Sequence, residues 1–173
     1  MSAPAPDVRE HTELDLTMLR LLNYTELEKL YRAGKRPSAL ADLNGDAIGA
    51  MLAWRTPSSG PLAWMLSKFG ESSIFAWKGK SFKAEAEDKG EGINRVSLFG
   101  KRRWFRFGTR FDASFVDGQP TFVLDYSGPH NPPLIRSIVD EVREVAPKLY
   151  LGAAALKVKG QPKPVLFFAL SFR

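Results

Sequence analysis

The chain ends in two apolar segments, residues 150–158 and 165–172, separated by a short turn at 159–162. Neither segment alternates cleanly between apolar and polar positions. In the second, one face carries Val165, Phe167 and Ala169, and the other carries Leu166, Phe168, Leu170 and Phe172. A strand that is apolar on both faces lies between two layers or borders a cavity. The pattern therefore predicts a final hairpin in a small β-barrel with an apolar interior and helices packed outside.

The middle of the chain has the alternation expected of half-buried strands. Predicted strands lie at 45–54, 74–87, 93–99, 103–111 and 121–127. In the last of these, Phe122, Leu124 and Tyr126 share one face. The Asp117-Gly118 pair is the strongest hairpin signal in the chain.

Helical periodicity appears in three places. Residues 13–33 carry a leucine-rich stripe and end at Gly34, with an alternative interpretation as two short helices that break at Asn23. A short crossover helix is predicted at 61–70. A third helix is predicted to begin near Asn131, with an apolar face that runs to Val145, and to end at Pro147.

Together these elements predict a mainly β fold with helices (α+β). It is a closed antiparallel, lipocalin-like barrel with an N-terminal helix, a short crossover helix and a helix before the last hairpin. We expect residues 1–12 to form a flexible tail and residues 13–173 to form a single barrel domain with an N-terminal helical segment.

Composition narrows the chemistry further. The 173 residues are 44% hydrophobic and include two histidines and no cysteine, which argues against disulfides, thiolate catalysis and a metal site. No cofactor motif is present, so no cofactor is predicted. The first twelve residues are polar and no segment approaches about 20 apolar residues, so we expect no signal peptide, no membrane span and a cytoplasmic location.

The positive charge is concentrated in one part of the chain. The net charge is +6, and the segment from Lys78 to Arg110 holds ten basic and four acidic residues, which equals the whole excess. Such a patch can bind phosphates or an acidic ligand. The favoured interpretation is a solvated hairpin face, so a nucleic-acid partner is not expected.

Three short motifs occur in a familiar order: GDAIG at 45–49, GPL at 60–62 and WKGKSF at 77–82. They resemble the bacterial GXWXXG-type lipocalin-like proteins of unknown activity, and VLDY at 123–126 is similar to the second half of those chains. Ala47 and Ile48 stand where the family has its tryptophan. The resemblance implies a calycin-like barrel and an apolar ligand, and it supplies no catalytic residue.

The candidate ligand-binding residues are those that this barrel would turn inward or place at its mouth. Tyr126 follows Phe122 and Leu124 inward, where its hydroxyl would orient a ligand. Arg110 shares a face with Trp104 and would hold a carboxylate, unless that face is the outer one. The full set is Trp77, Trp104, Arg110, Tyr126, Tyr150, Phe167 and Ala169.

Three functions fit these observations. The favoured one is an intracellular binding protein for an apolar or amphipathic small molecule held in the barrel. The alternative is a cofactor-independent cyclase or isomerase that acts by orienting an apolar substrate. The third is a nucleic-acid or phosphate-binding module. No catalytic residue is assigned, and the sequence leaves a homodimer open.

Overall fold

Eight antiparallel strands close into a barrel in sequence order in the computed structural model, which describes residues 14–55, 77–97 and 101–172. The strands are β1 Gly45–Trp54, β2 Trp77–Ala84, β3 Gly90–Ser97, β4 Lys101–Ala113, β5 Pro120–Asp125, β6 Ile138–Ala146, β7 Leu149–Val158 and β8 Gln161–Ser171. β8 pairs with β1, and this pairing closes the barrel. The predicted fold class is confirmed.

Short helices precede and interrupt the barrel. They are α1 Leu16–Leu19, α2 Tyr24–Ala33, a 3₁₀ helix at Leu40–Leu43 and α3 Pro133–Arg136. Asn23 caps α2 in a full capping box with Glu26, and Gly34 ends the helix. The break at Asn23 in the N-terminal helical segment is therefore confirmed.

The α2 helix packs on the outside of the barrel wall. Leu27 and Tyr31, four residues apart, share its buried face. They join an apolar cluster with the outward side chains Leu149, Leu151, Ala153, Phe167 and Ala169 of the last hairpin. This outer layer explains why the closing strands are apolar on both faces.

The barrel interior is filled mainly by aromatic side chains. Phe82 packs edge-on against Phe107 and Phe122, and Tyr150 packs edge-on against Phe172. Leu40 and Leu43 of the 3₁₀ helix join the same cluster near the start of β1. We call this end of the barrel the Leu43 end, and the opposite end, where β1 finishes and β2 begins, the Trp77 end.

The structure corrects the third predicted helix. α3 covers only Pro133–Arg136, and the rest of the predicted helix forms strand β6. Its apolar residues also suit a strand because Val139 packs outside the barrel while Val142 joins the interior cluster. The predicted tail at 1–12 and the crossover helix at 61–70 lie outside the described residues.

Candidate functional site

A lysine lies inside the barrel. Lys80 of β2 is 4% exposed, and its Nζ lies 2.9 Å from Asp140 Oδ2 of β6. The same Nζ donates to Asn94 Oδ1 at 2.8 Å and to the Tyr126 hydroxyl at 2.5 Å. All three ammonium hydrogens therefore have acceptors, as a buried charge requires.

The acceptors of Lys80 are also bonded to one another. Tyr126 donates its hydroxyl to Asp140 Oδ2 at 3.0 Å and accepts from Asn94 Nδ2 at 3.1 Å. Trp77 Nε1 donates to Asn94 Oδ1 at 3.1 Å. We call Lys80, Asn94, Tyr126 and Asp140 the interior polar cluster; it links β2, β3 and β6 with the residue that follows β5.

Aromatic rings surround the lysine ammonium. Its Nζ lies 5.2–5.5 Å from four ring centroids, those of Trp77, Phe107, Tyr126 and Phe168. Rings at this distance attract a cation through their electron-rich faces. The enclosure thus favours a positive charge while keeping bulk water away.

Two β-bulges aim the side chains of this cluster. The pairing of β2 with β3 shifts between Trp77 and Gly79, and Lys78 is the extra residue. Without that shift, Trp77 would lie on the face opposite Lys80; with it, both side chains reach Asn94. The extra residue therefore adds the indole to the lysine site.

Gly79 is required for this geometry. Its φ of 130° lies in a region that favours glycine, and a Cβ there would clash with the carbonyl oxygen of Ala47 on β1. The close approach of β1 and β2 depends on the missing side chain.

The second bulge lies in β4, opposite β3. The pairing of β3 with β4 shifts between Ile93 and Asn94, which leaves Phe105 as the extra residue with a φ of 59°. A bulky side chain rarely adopts this left-handed conformation, which costs about 1–3 kcal/mol. Strain of this kind is stored most often at functional sites.

Burial sets the protonation of the cluster. Desolvation lowers the pKa of Lys80, and the Asp140 carboxylate opposes that shift. Desolvation, followed by the nearby Asp140 charge, raises the pKa of Tyr126 well above its usual value. Tyr126 is therefore a neutral hydrogen-bond donor at all ordinary pH values, while the Lys80 proton is held less firmly than that of an exposed lysine.

Apolar side chains at the Trp77 end lie near this cluster and are only partly buried. Five of them pack against the interior core while keeping some exposure: Met51, Trp54, Trp77, Phe105 and Ile138. At the Leu43 end, Leu40 and Leu43 are buried, while Ala84, Phe111 and Phe172 are partly buried. The interior polar cluster is nearer to the Trp77 end, since Asp140 lies close to the start of β6 and Tyr126 directly follows β5.

A separate group of buried charges lies outside the barrel, under α2. Glu141 accepts from the Tyr31 hydroxyl at 2.9 Å, from the Ser114 hydroxyl and from the Phe115 amide at 3.0 Å. Desolvation raises the pKa of Glu141 and outweighs these hydrogen bonds. These contacts fasten α2 and the β4–β5 loop to β6.

Arg143 completes that outer group. Its two terminal nitrogens donate to the Asp117 carboxylate at 2.7 and 2.8 Å. This paired geometry lowers the pKa of Asp117. Because the partners of Arg143 are loop and helix groups of the same chain, we assign Arg143 a structural role.

The seven predicted site residues fall into three groups. Trp77, Tyr126 and Tyr150 belong to the interior cluster of side chains. Phe167 and Ala169 face α2 outside the barrel, and Arg110 lies on the outer surface, bonded to Asp125 at 3.0 Å and Asp112 at 3.3 Å. The side chain of Trp104 lies outside the part of the chain that the structure describes.

Sequence reasoning missed Lys80 and Asp140 as site residues. Lys80 lies two positions before Phe82, on the face predicted to be inward, so alternation alone indicated burial. Asp140 had no such signal because its segment was interpreted as a helix. Asn94 also lies outside the predicted set of site residues.

The basic segment is partly neutralised in the structure. Lys80 is buried, and a terminal nitrogen of Arg95 lies 3.0 Å from Asp46 Oδ2. Arg110 pairs with the carboxylates of Asp112 and Asp125. An open groove of about 320 Å³ crosses β1 to β4 beside Asp46 and Arg106. This mixture of charges does not favour the phosphate-binding alternative.

Two searches of the described residues were negative. Across 14–55, 77–97 and 101–172, no three His, Cys, Asp or Glu side chains are grouped so that they could hold a metal ion. In the same ranges, no helix has the length and apolar character needed to span a bilayer.

Comparison with known proteins gives a fold and no family. No family model matches the chain, and no curated protein matches it. A crystal structure of a protein from Thermomonospora curvata superposes with a TM-score of 0.53 at 19% identity, covering 93% of this chain and 89% of the other. The eight-stranded antiparallel barrel and this neighbour fit a calycin-like fold.

Proposed function

We propose that the protein binds an apolar or amphipathic small molecule at the Trp77 end of the barrel, in the cytoplasm. The observation that carries this proposal is the buried Lys80–Asp140 pair beside partly exposed apolar side chains. A stable core does not need such a pair, since desolvating two charges offsets much of their attraction. A few convergent polar groups in an apolar enclosure are typical of ligand sites.

The arrangement favours a ligand with an apolar body and one polar group. Met51, Trp54 and Ile138 would contact the body, and the interior polar cluster would orient the polar end. Trp77 spans both parts, because its ring packs against Phe168 while its Nε1 bonds to Asn94.

The first test is mass spectrometry of an organic extract of the gently purified protein, followed by titration of the identified compound. Tryptophan fluorescence should change on binding, since Trp54 and Trp77 lie at the proposed site. A stoichiometric apolar compound supports the proposal.

Two neighbouring alanines provide a matched control. Ala154 joins the interior cluster and pairs in register with Asp140, whereas Ala153 lies under α2. Overpacking either position costs about 1–3 kcal/mol, so both leucine variants should lose similar stability. Only Ala154→Leu should weaken ligand binding. Equal affinity of both folded variants would place the ligand elsewhere.

A further inference from the structure

The surroundings of Lys80 suit a particular chemistry of its amine. A lysine becomes a nucleophile only as the free amine, which apolar surroundings favour. Lys80 is 4% exposed, so its amine is almost completely removed from water. Its Nζ donates to the Asp140 carboxylate at 2.9 Å and to the Tyr126 hydroxyl at 2.5 Å, and that neutral hydroxyl in turn donates to Asp140.

We propose that Lys80 forms a reversible imine with an apolar aldehyde or ketone bound at the Trp77 end. The inference rests on the proposed function, because it names the chemical class of the ligand for the same site. An amine held between an acid and a base is the arrangement that carbonyl addition and dehydration require.

The groups present can balance each proton transfer. Lys80 releases a proton to Asp140, and its free Nζ adds to the carbonyl carbon while the C=O π electron pair moves to oxygen. Tyr126 protonates that oxygen and recovers a proton from Asp140, to which it is bonded at 3.0 Å. This gives the N-protonated carbinolamine, which becomes neutral when its nitrogen passes a second proton to Asp140.

Dehydration follows the same route. The nitrogen lone pair forms the C=N bond while the hydroxyl group, protonated through Tyr126, departs as water. The remaining N–H proton returns to Asp140 or stays on nitrogen as an iminium paired with that carboxylate. The net change is one amine plus one carbonyl compound to one imine plus one water, with no oxidant or cofactor.

Asn94 has a positioning role in this scheme. Its Oδ1 accepts from both Lys80 and Trp77, so it fixes the amine relative to the indole. Its Nδ2 donates to the Tyr126 hydroxyl, which leaves the hydroxyl proton directed to Asp140. In the scheme, this hydroxyl proton turns from Asp140 to the substrate oxygen during the addition step.

Reductive trapping tests the proposal. The full chain is incubated with trans-cinnamaldehyde and cyanoborohydride at neutral pH, and the reduced adducts are mapped by peptide mass spectrometry. Lys78 is the internal control because it lies two residues away on the same strand and is exposed. We expect Lys80 to carry several-fold more adduct than Lys78, since burial lowers the pKa of Lys80 and so raises its free-amine fraction.

Variants and an unreactive analogue separate the two proposals. Lys80→Arg keeps the charge and should abolish the specific adduct, whereas Lys78→Arg should leave it unchanged.

Binding of cinnamyl alcohol, followed by tryptophan fluorescence, reports the pocket without imine chemistry. Alcohol binding with no Lys80 adduct overturns the imine and leaves the binding function standing. Adducts confined to exposed lysines, with no alcohol binding, overturn both. Because the mapping uses the wild-type chain, it is decisive even if Lys80→Arg does not fold.

Discussion

Lys80 and Asp140 pair across the barrel interior, Nζ to Oδ2 at 2.9 Å, with 5% and 7% of their side chains exposed. They belong to strands β2 and β6, 60 residues apart in sequence. The pair connects walls that share no backbone hydrogen bonds, since β2 bonds to β1 and β3 while β6 bonds to β5 and β7.

Removing one member of this pair should destabilise the protein strongly. Lys80→Met leaves the Asp140 carboxylate buried without its cation, at a cost of about 3–5 kcal/mol. The free energy of unfolding in urea measures the loss.

The double variant Lys80→Met/Asp140→Leu provides the control for that loss. With both charges gone, most of the stability should return, because a buried pair adds little over apolar residues of similar size. If the double variant is as unstable as the sum of the two single changes, the two residues are not energetically coupled.

Gly79→Ala should be costly for a different reason. Its φ of 130° disfavours a side chain, and the new Cβ would clash with the Ala47 carbonyl oxygen. We expect a loss of at least about 1–3 kcal/mol in thermal or urea unfolding. Gly108→Ala is the matched change, since nothing lies within 4 Å of its Cβ position, and it should stay within about 0.5 kcal/mol. Similar losses at both positions would contradict this account of Gly79.

The Arg143–Asp117 contact should stabilise the fold in a pH-dependent way. The hydrogen bonds from Arg143 lower the pKa of Asp117 in the folded state, whereas an unfolded aspartate titrates near about 3.9. The stabilisation is therefore fully present above about pH 4 and is lost as the pH falls through the lower folded value.

The unfolding free energies of the wild type and of Asp117→Asn, measured at several pH values, test this pH-dependent stabilisation. The difference in unfolding free energy should be constant between pH 7 and 5 and shrink toward pH 2. Asp112→Asn is the control because Asp112 and Arg110 are about half exposed, and it should cost less than about 1 kcal/mol. A difference that grows on acidification would refute the assignment.

The N-terminus of α2 should depend on its cap. Asn23→Ala removes the side-chain acceptor for the Glu26 amide, at a cost of about 1 kcal/mol. Lys29→Ala, on the exposed face of the same helix, should be nearly neutral. Urea unfolding of both variants checks the difference, and equal stabilities would mean that packing alone defines this helix start.

The sequence predicts the barrel because its strands carry local signals. Alternation in β5 placed Phe122, Leu124 and Tyr126 together, and all three belong to the interior cluster. Asn23 revealed a helix start through its own side chain. Such features depend on neighbours within a few residues, so one sequence is enough to recognise them.

The candidate site depends on distant partners instead. In β6, apolar residues spaced three and four apart imitate a helix, and the charged residues between them look solvent-exposed. Asp140, Glu141 and Arg143 are nevertheless buried, because partners on β2, α2 and the β4–β5 loop satisfy them. Those partners are 24 to 112 residues away, beyond any local pattern.

Strand β6 carries its charges on both faces, and this fixes its alignment with its neighbours. A slip of one residue would turn Glu141 and Arg143 into the aromatic interior and move Asp140 to the outside. Every one of these groups would lose its partner, so the misaligned barrel would be far less stable than the native one. An all-apolar β6 would tolerate the slip better. The buried charges therefore make the native alignment unique, whatever they add to overall stability.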